Sequence, residues 1–229
     1  MTAKELAPYF DHTLLKATAR EADIVQLCRE ARESHFATVC IQPVWVPRCA
    51  DELRGSGVGV CTVIGFPLGA NTTAVKVAET KLAVEQGATE VDMVINVGWA
   101  LDERWADVTE EIRQIRVAAG KTPLKVILET CYLTDEAIGK ACDASAKAGA
   151  AFVKTSTGFG TGGATESHIR LMRSRVPASM KVKASGGIRT LADAVTMIEA
   201  GASRLGASAS VAILKELKGE ADAGVSSGY

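Results

Sequence analysis

The sequence is poor in aromatic residues, which make up 5% of its 229 residues, although 47% are hydrophobic. Its core must therefore be built mainly from aliphatic side chains, a composition that suits parallel strands buried on both faces. The sequence also lacks a run of lysines or arginines and an apolar run long enough to span a bilayer, and its formal net charge is -1. We therefore expect small-molecule partners and neither nucleic acid nor a membrane.

The sequence has six cysteines but no CxxC pair, and its amino terminus has neither the basic nor the apolar region of a secretory signal. These absences predict a reduced, cytoplasmic protein. The three histidines, His12, His35 and His168, are far apart and lack the spacing of metal ligands. We expect no metal ion and no cofactor.

Short β-branched apolar runs alternate with Ala-rich amphipathic segments along the chain. The predicted strands are Phe10–Thr13, Thr38–Ile41, Gly59–Ile64, Glu90–Val97, Leu124–Thr130, Phe152–Thr155, Lys181–Ala184 and Arg204–Gly206. The predicted helices are Ala22–Ser34, Val44–Leu53, Thr73–Gln86, Asp102–Ala119, Asp135–Ala148, Glu166–Arg175, Leu191–Ala200 and Ser210–Lys218. Eight such units predict an α/β fold, a (β/α)8 TIM barrel in one domain of residues 1–218. A doubly wound open sheet is the alternative, because alternation alone does not prove closure.

Residues 219–229 lose this periodicity, and we predict that they form a short flexible carboxyl-terminal tail.

One predicted strand carries a lysine, Lys154, and is followed by a glycine-rich segment. Strand alternation places Lys154 on the same face as Phe152, so its ammonium group points into packed protein or into a pocket. A buried lysine usually finds a partner or loses its proton, and a neutral amine is a nucleophile for carbonyl carbon. The alternative is a lysine whose stem packs while its ammonium group reaches water.

Further charged residues converge on Lys154 if the fold is a barrel, because the carboxyl ends of the strands then form one mouth. Lys183 lies on the next strand, Asp92 on the fourth, and Asp11 on the first, which is close to the seventh around the ring. Each alone is better explained by a salt bridge inside the barrel. Together they favour an active site.

The positive charge of Lys183 is large enough to favour the neutral form of Lys154. Two unit charges about 4 Å apart repel by about 4 kcal/mol at an effective dielectric constant near 20. Making an ordinary lysine neutral at physiological pH requires about 4–5 kcal/mol. We therefore predict that Lys183 keeps Lys154 neutral, while Asp11 and Asp92 balance the remaining positive charge.

Glycines cluster after the last three predicted strands. Gly158 follows the sixth, Gly186 and Gly187 follow the seventh, and Gly206 and Ser208 stand at the eighth. Barrels often bind phosphate on the loops after the seventh and eighth strands, through backbone N–H groups. Each glycine alone is better explained by a tight turn, but their shared location predicts a phosphate site.

Six segments in order along nearly the whole chain form a specific pattern. They are Asp11–Lys16 (DHTLLK), Glu90–Gly98 (EVDMVINVG), Lys125–Thr130 (KVILET), Val153–Gly158 (VKTSTG), Val182–Thr190 (VKASGGIRT) and Leu205–Ser208 (LGAS). This pattern resembles the deoxyribose-phosphate aldolases, which are class I, Schiff-base aldolases with a barrel fold. The resemblance implies reversible cleavage of 2-deoxy-D-ribose 5-phosphate to D-glyceraldehyde 3-phosphate and acetaldehyde, a step of deoxynucleoside catabolism.

The resemblance also implies roles for single residues. Lys154 forms the imine, Asp92 relays protons, and Lys183 perturbs Lys154 and assists proton transfer. Thr157 is a candidate for support of catalysis, together with Asp11.

Relatives also tend to end in a short segment that closes with a tyrosine. This feature implies that the tail folds over the barrel mouth and brings the Tyr229 phenol to the imine. The alternative for this tail is simple fraying.

Several questions stay open at the level of sequence. Many relatives have Gly-Ala-Ser-Ser where this chain reads Gly206–Ala209, so the phosphate lacks one hydroxyl contact. Lys125 and Glu129 share a face of the fifth strand, and the sequence does not say whether that face points inward. Cys40 either borders the pocket or, as we favour, packs as a small hydrophobic residue.

Alternative functions and assemblies also stay open. Another Schiff-base sugar-phosphate aldolase or a transaldolase is the second function. A non-catalytic sugar-phosphate-binding barrel is the third, and the paired lysines count against it because binding alone needs no neutral amine. A zinc-dependent class II aldolase is disfavoured by the scattered histidines. The sequence allows a homo-oligomer, either a dimer or a tetramer, but does not select one.

Overall fold

The computed structural model describes residues 1–220 and contains a closed eight-stranded barrel. The strands are β1 (Phe10–Leu14), β2 (Thr38–Ile41), β3 (Gly59–Ile64), β4 (Glu90–Val94), β5 (Leu124–Ile127), β6 (Phe152–Lys154), β7 (Lys181–Ser185) and β8 (Arg204–Ala207). Each strand pairs in parallel with the next one along the chain, and β8 pairs with β1. The predicted TIM barrel is therefore confirmed, and the open sheet is excluded.

Helices cover the outside of this barrel. They are α1 (Ala3–Leu6), α2 (Glu21–Ser34), α3 (Val46–Glu52), α4 (Thr73–Glu85), α5 (Val97–Leu101), α6 (Trp105–Ala118), α7 (Asp135–Lys147), α8 (Glu166–Arg175), α9 (Leu191–Glu199) and α10 (Ser210–Leu217). Short 3-10 turns lie at Ala7–Tyr9, Pro43–Trp45 and Thr130–Tyr132. Within residues 1–220, no helix combines the length and the hydrophobicity that a bilayer crossing requires.

The end of β4 differs from the sequence prediction. The strand stops at Val94 because the Asn96 side chain accepts a hydrogen bond from Trp99 N at 3.1 Å and caps α5. The short helix α5 was not predicted, and the helix predicted from Asp102 begins three residues later, at Trp105, as α6. The positive φ of Glu103, 57°, then separates α5 from α6.

Aliphatic residues fill the layer between the strands and the helices. On β4, Val91 and Met93 are buried in this layer, whereas Asp92 between them contacts the lysines inside the barrel. A smaller buried cluster consists of Leu15, Cys40, Cys61 and Val63. The alternation along each strand thus separates an apolar outer layer from a polar interior.

Helix α10 ends at Leu217, next to the predicted end of the barrel at residue 218. The predicted tail lies almost entirely outside the described residues, since only residues 219 and 220 of it are described. Tyr229 also lies outside them.

Candidate active site

Strand register brings Lys154 and Lys183 side by side. Lys154 is the last residue of β6, and its partner in the parallel ladder to β7 is Lys183. The two side chains are 3% and 0% exposed. Two amines are thus buried together at the carboxyl-terminal end of the barrel, where active sites of this fold lie.

Asp92 links these two lysines. Lys154 Nζ lies 2.9 Å from Asp92 Oδ2, and Lys183 Nζ lies 2.7 Å from the same oxygen. Burial would raise the pKa of Asp92, but the charges of Lys125, Lys154 and Lys183 outweigh burial and hold this pKa well below its usual range. Asp92 is therefore an ionised carboxylate that both amines share.

Lys125 on β5, whose direction the sequence left open, also points into the barrel. Its Nζ lies 2.7 Å from Asp92 Oδ1 and 2.5 Å from Glu90 Oε2. Burial lowers the pKa of this lysine, but the carboxylates around it, Asp92 first, raise the pKa well above its ordinary value. Lys125 therefore stays charged and holds Asp92 by its second oxygen.

Asp11 on β1 lies on the other side of Lys183. Its Oδ2 forms an ion pair with Lys183, and its Oδ1 accepts hydrogen bonds from Arg204 Nη1 at 2.6 Å and from Thr38 Oγ1 at 2.8 Å. Burial would raise the pKa of Asp11, but Lys183, Lys125 and Arg204 keep it below its usual range. The pKa of Lys183 is raised because its two aspartate partners outweigh burial.

We call this set the buried charge cluster, and it comprises Asp11, Glu90, Asp92, Lys125, Lys154, Lys183 and Arg204. Arg204 also binds Glu90, at 3.0 Å. The cluster holds four basic groups and three carboxylates, so one basic group has no full counter-charge within it. Such an excess favours a neutral amine in the interior.

The shifted pKa values predict that Asp11 and Asp92 do not titrate near neutral pH. A depressed folded-state pKa contributes stability above the ordinary aspartate value of 3.8, and this stability is lost only as pH falls below it. We expect the side-chain carboxyl ¹³C shifts of both residues to stay at the values of an ionised carboxylate between about pH 8 and about pH 5. NMR of protein with labelled aspartate tests this, and titration of either residue in that range would contradict it.

Thr157 lies buried in the loop after β6, where it binds Glu129. The Thr157 amide donates to Glu129 Oε1 at 3.2 Å, and its hydroxyl donates to Glu129 Oε2. Glu129 follows β5 and has a positive φ of 54°. The sequence left the direction of Glu129 open; the structure turns its carboxylate onto the loop that follows Lys154.

Three of the predicted phosphate residues, Gly158, Gly186 and Gly187, border one cavity of about 400 Å³, which Arg189 also borders. The φ angles of the three glycines are 87°, 82° and 82°. These angles require glycine, because an L side chain is strained there. Arg189 was not among the residues predicted for a phosphate site, although it borders the same cavity.

The other two predicted phosphate residues lie elsewhere. Ser208 borders a neighbouring cavity of about 230 Å³ with His12 and Lys16. Gly206 is buried in β8, and a Cβ there would lie 3.1 Å from Lys183 Cε. The missing side chain of Gly206 thus makes room for Lys183.

Two groups among the described residues could offer three ligand atoms to a metal ion: Cys40, Cys61 and Asp92, and Asp11, Cys61 and Glu90. Their carboxylates already bind lysine ammonium groups. Burial raises the pKa of the Cys61 thiol, which donates to Asp92 Oδ1 at 3.1 Å. These donors are thus arranged around ammonium groups, and a metal cation would have to displace them.

Comparisons with known proteins agree with this architecture. Residues 6–228 match the family model of the DeoC/LacD family aldolases. The deoxyribose-phosphate aldolase of Carboxydothermus hydrogenoformans is 56% identical over 221 residues, which are 95% of this chain and 97% of that protein.

Solved structures agree as well. A proposed deoxyribose-phosphate aldolase of Coccidioides immitis has 46% identity and a TM-score of 0.92, over 95% of this chain and 87% of that chain. The deoxyribose phosphate aldolase of Aeropyrum pernix, described as a tetramer, has 36% identity and a TM-score of 0.86, over 95% of this chain and 92% of that chain.

Proposed function

Because the chain belongs to the DeoC/LacD family of aldolases, we propose that it is a deoxyribose-phosphate aldolase that uses Lys154 as its Schiff-base lysine. Family membership confirms the resemblance in the sequence. One observation carries the assignment of the site: Lys154, buried at the end of β6, shares one oxygen of Asp92 with Lys183. A class I aldolase needs an amine nucleophile beside groups that move protons, and these residues supply both.

The buried charge cluster stabilises a positive charge on Lys154 less than on its neighbours. Among the described carboxylates, Lys154 contacts Asp92 only, whereas Lys183 also contacts Asp11. Lys125 contacts Glu90 as well as Asp92. A neutral Lys154 therefore gives up less attraction to carboxylates than a neutral Lys125 or Lys183 would. Repulsion between the Lys154 and Lys183 ammonium groups also favours the neutral form of Lys154.

The reaction then follows from ordinary imine chemistry. The C1 aldehyde of the open-chain sugar condenses with the Lys154 amine, releases water and forms an iminium ion. The C3 hydroxyl loses its proton as the C2–C3 bond breaks, the bonding electrons move toward the iminium nitrogen, and glyceraldehyde 3-phosphate leaves. The remaining enamine takes a proton at C2, and water releases acetaldehyde from Lys154.

Asp92 is placed to carry the protons of imine formation and hydrolysis, since its Oδ2 lies 2.9 Å from Lys154 Nζ. Its pKa lies well below its usual range because of the three lysines around it, so it is a carboxylate in the resting site and accepts a hydrogen bond from Lys154. Lys183, on the same oxygen at 2.7 Å, is the next group in this relay.

We place the substrate phosphate in the cavity bordered by Gly158, Gly186, Gly187 and Arg189. Successive glycine residues with positive φ form concave backbone turns that suit an anion, and the guanidinium group adds a positive charge. Ser208 borders a different cavity, with His12 and Lys16, and is not part of this proposed site. The alanine at position 209 has no hydroxyl group.

The tetrameric relative from Aeropyrum pernix supports the proposal that this chain also forms a homo-oligomer. Size-exclusion chromatography with light scattering tests the assembly.

The described cysteines are all unpaired thiols, which supports a reducing, cytoplasmic location.

Borohydride trapping tests the central step. We expect acetaldehyde and borohydride to leave an N-ethyl group on Lys154, located by peptide mass mapping. A retro-aldol assay with several sugar phosphates should give the highest kcat/KM with 2-deoxyribose 5-phosphate. Absence of an adduct would favour a binding protein, and preference for another sugar phosphate would favour a different aldolase.

Lys183→Met should shift the onset of imine formation to higher pH by about one to two units. The substitution removes a cation from the oxygen that Lys154 shares, so Lys154 holds its proton more tightly. The pH dependence of borohydride trapping with acetaldehyde measures this shift. Lys125→Met, which removes a cation from the other oxygen of Asp92, is the control and should give a smaller shift. An unchanged profile in Lys183→Met would show that Lys183 does not tune Lys154.

A further inference from the structure

The ladder between β5 and β6 becomes irregular just after Lys154. Leu128 N donates to Lys154 O at 2.9 Å, but Thr130 N donates to Thr155 O at 3.0 Å. One side of the ladder therefore advances by two residues while the other advances by one, and Glu129 is the extra residue of a bulge. Its φ of 54° is strained for a residue with a side chain. Bulges beside functional sites often redirect a side chain.

This bulge directs the Glu129 carboxylate onto Thr157. The Thr157 amide lies 3.2 Å from Oε1 and 3.3 Å from Oε2, and the Thr157 hydroxyl donates to Oε2. Both residues are buried, with 3% and 2% of their surface exposed. Because the Glu129 carboxylate accepts hydrogen bonds from both the amide and the hydroxyl of Thr157, it fixes the position and the orientation of Thr157.

Thr157 in turn holds the glycine-rich loop of residues 157–160 in place. Its Oγ1 accepts a hydrogen bond from Phe159 N at 3.0 Å. The backbone of Gly160 lies directly on Glu129, since a Cβ at position 160 would be 3.2 Å from the Glu129 carboxyl carbon. Gly158 and Gly160 border the 400 Å³ cavity in which we place the substrate phosphate.

We infer that Glu129 is a positioning residue that holds Thr157 and the 157–160 loop in the form that binds the substrate phosphate. This inference rests on the proposed function and extends it to substrate specificity. Glu129 acts through Thr157 and the loop, and within residues 1–220 it forms no hydrogen bond or ion pair with the side chains of Lys154 and Asp92. It therefore governs the preference for a phosphorylated sugar and leaves imine chemistry unaffected.

Glu129→Gln tests the inference because glutamine keeps the size of the side chain. Its NH2 group would face a Thr157 donor in place of one carboxylate oxygen. We expect KM for 2-deoxyribose 5-phosphate to rise about tenfold. We expect kcat/KM for unphosphorylated 2-deoxyribose to change by about twofold or less, and acetaldehyde trapping at Lys154 to keep the parent rate.

Two further variants separate positioning from folding. Glu129→Gly relieves the positive-φ strain, which offsets part of the stability lost with the buried carboxylate, so the protein should stay folded although KM rises. Thr157→Val removes the hydroxyl partner of Glu129. Because both residues act through one contact, the double variant with Glu129→Gln should have a KM for 2-deoxyribose 5-phosphate no higher than the higher of the two single-variant values. Glu136→Gln, at an exposed position on α7, is the matched control and should behave as the parent.

The deciding quantity is the ratio of KM values for phosphorylated and unphosphorylated sugar. A folded Glu129→Gln protein with the parent ratio would overturn the inference. Failure of the parent to cleave 2-deoxyribose 5-phosphate would refute the proposed function instead. Calorimetric titration with inorganic phosphate then decides about Glu129, because a raised Kd in Glu129→Gln supports the inference and an unchanged Kd overturns it.

Discussion

Lys154→Arg is expected to give no borohydride-trapped adduct with acetaldehyde and to lower turnover by at least about 10⁴-fold. A guanidinium group stays protonated at any accessible pH, so it cannot attack a carbonyl carbon. The guanidinium group can still donate hydrogen bonds to Asp92, so the contact at this position need not be lost. Peptide mass mapping after trapping and a coupled retro-aldol assay measure the two effects.

The control for this experiment is Lys181→Arg. Lys181 is exposed at the start of β7, on the strand that carries Lys183, and its replacement should leave trapping and turnover at the parent level. A cooperative thermal unfolding transition in each variant checks that both proteins are folded. Normal turnover in Lys154→Arg would move the Schiff base to another residue and refute the proposed mechanism.

The barrel was predictable because most strands are short apolar runs and each is followed by a segment with the pattern of a helix. Closure of the sheet was not contained in this pattern, since it depends on the pairing of β8 with β1, which are far apart in sequence. Lys154 and Asp92 were identifiable because charged residues are rare inside apolar strands. Their proximity followed only after the fold was assumed.

Lys125 shows a limit of strand periodicity. It sits in an apolar run, as Lys154 does, but a strand of a barrel is apolar toward the helices as well as inside. The period of two residues therefore divides the side chains into two sets without saying which set faces inward. The packing of the helices on the outer face decides this, and it places Lys125 on Asp92.

Arg204 and Glu90 were harder still to identify, because they are the first residues of β8 and β4. Polar residues are common at strand ends, so their place in the buried charge cluster has no local signal. The bulge at Glu129 had none either, because glutamate rarely adopts a positive φ and the conformation results from contacts with β6.

The sequence predicted that Lys183 acts directly on Lys154, whereas the structure places Asp92 Oδ2 against both ammonium groups. The carboxylate offsets part of the repulsion between the two lysines. Lys183 therefore acts on Lys154 by competing for a shared oxygen as well as by repulsion.

Asp92→Asn should still permit an imine on Lys154 but lower turnover by about 10²–10⁴-fold. The amide neither takes nor returns a proton, so the carbinolamine and enamine steps slow most. The substitution also leaves buried lysines without their shared carboxylate, which should cost about 3–5 kcal/mol and lower Tm by roughly 10 °C. Trapping with acetaldehyde, steady-state kinetics and thermal unfolding give the three quantities.

Asp11→Asn distinguishes proton transfer from loss of charge. Asp11 binds Lys183 and Arg204 in the same cluster, whereas Lys154 forms its ion pair with Asp92. The two variants should therefore lose comparable stability, because each removes a buried carboxylate from two or more cations. The loss of turnover should be clearly larger in Asp92→Asn, since its carboxylate lies 2.9 Å from Lys154 Nζ, the proposed nucleophile. Equal losses of turnover in the two variants would show that the cluster acts through its total charge, and that the proton relay runs through other groups.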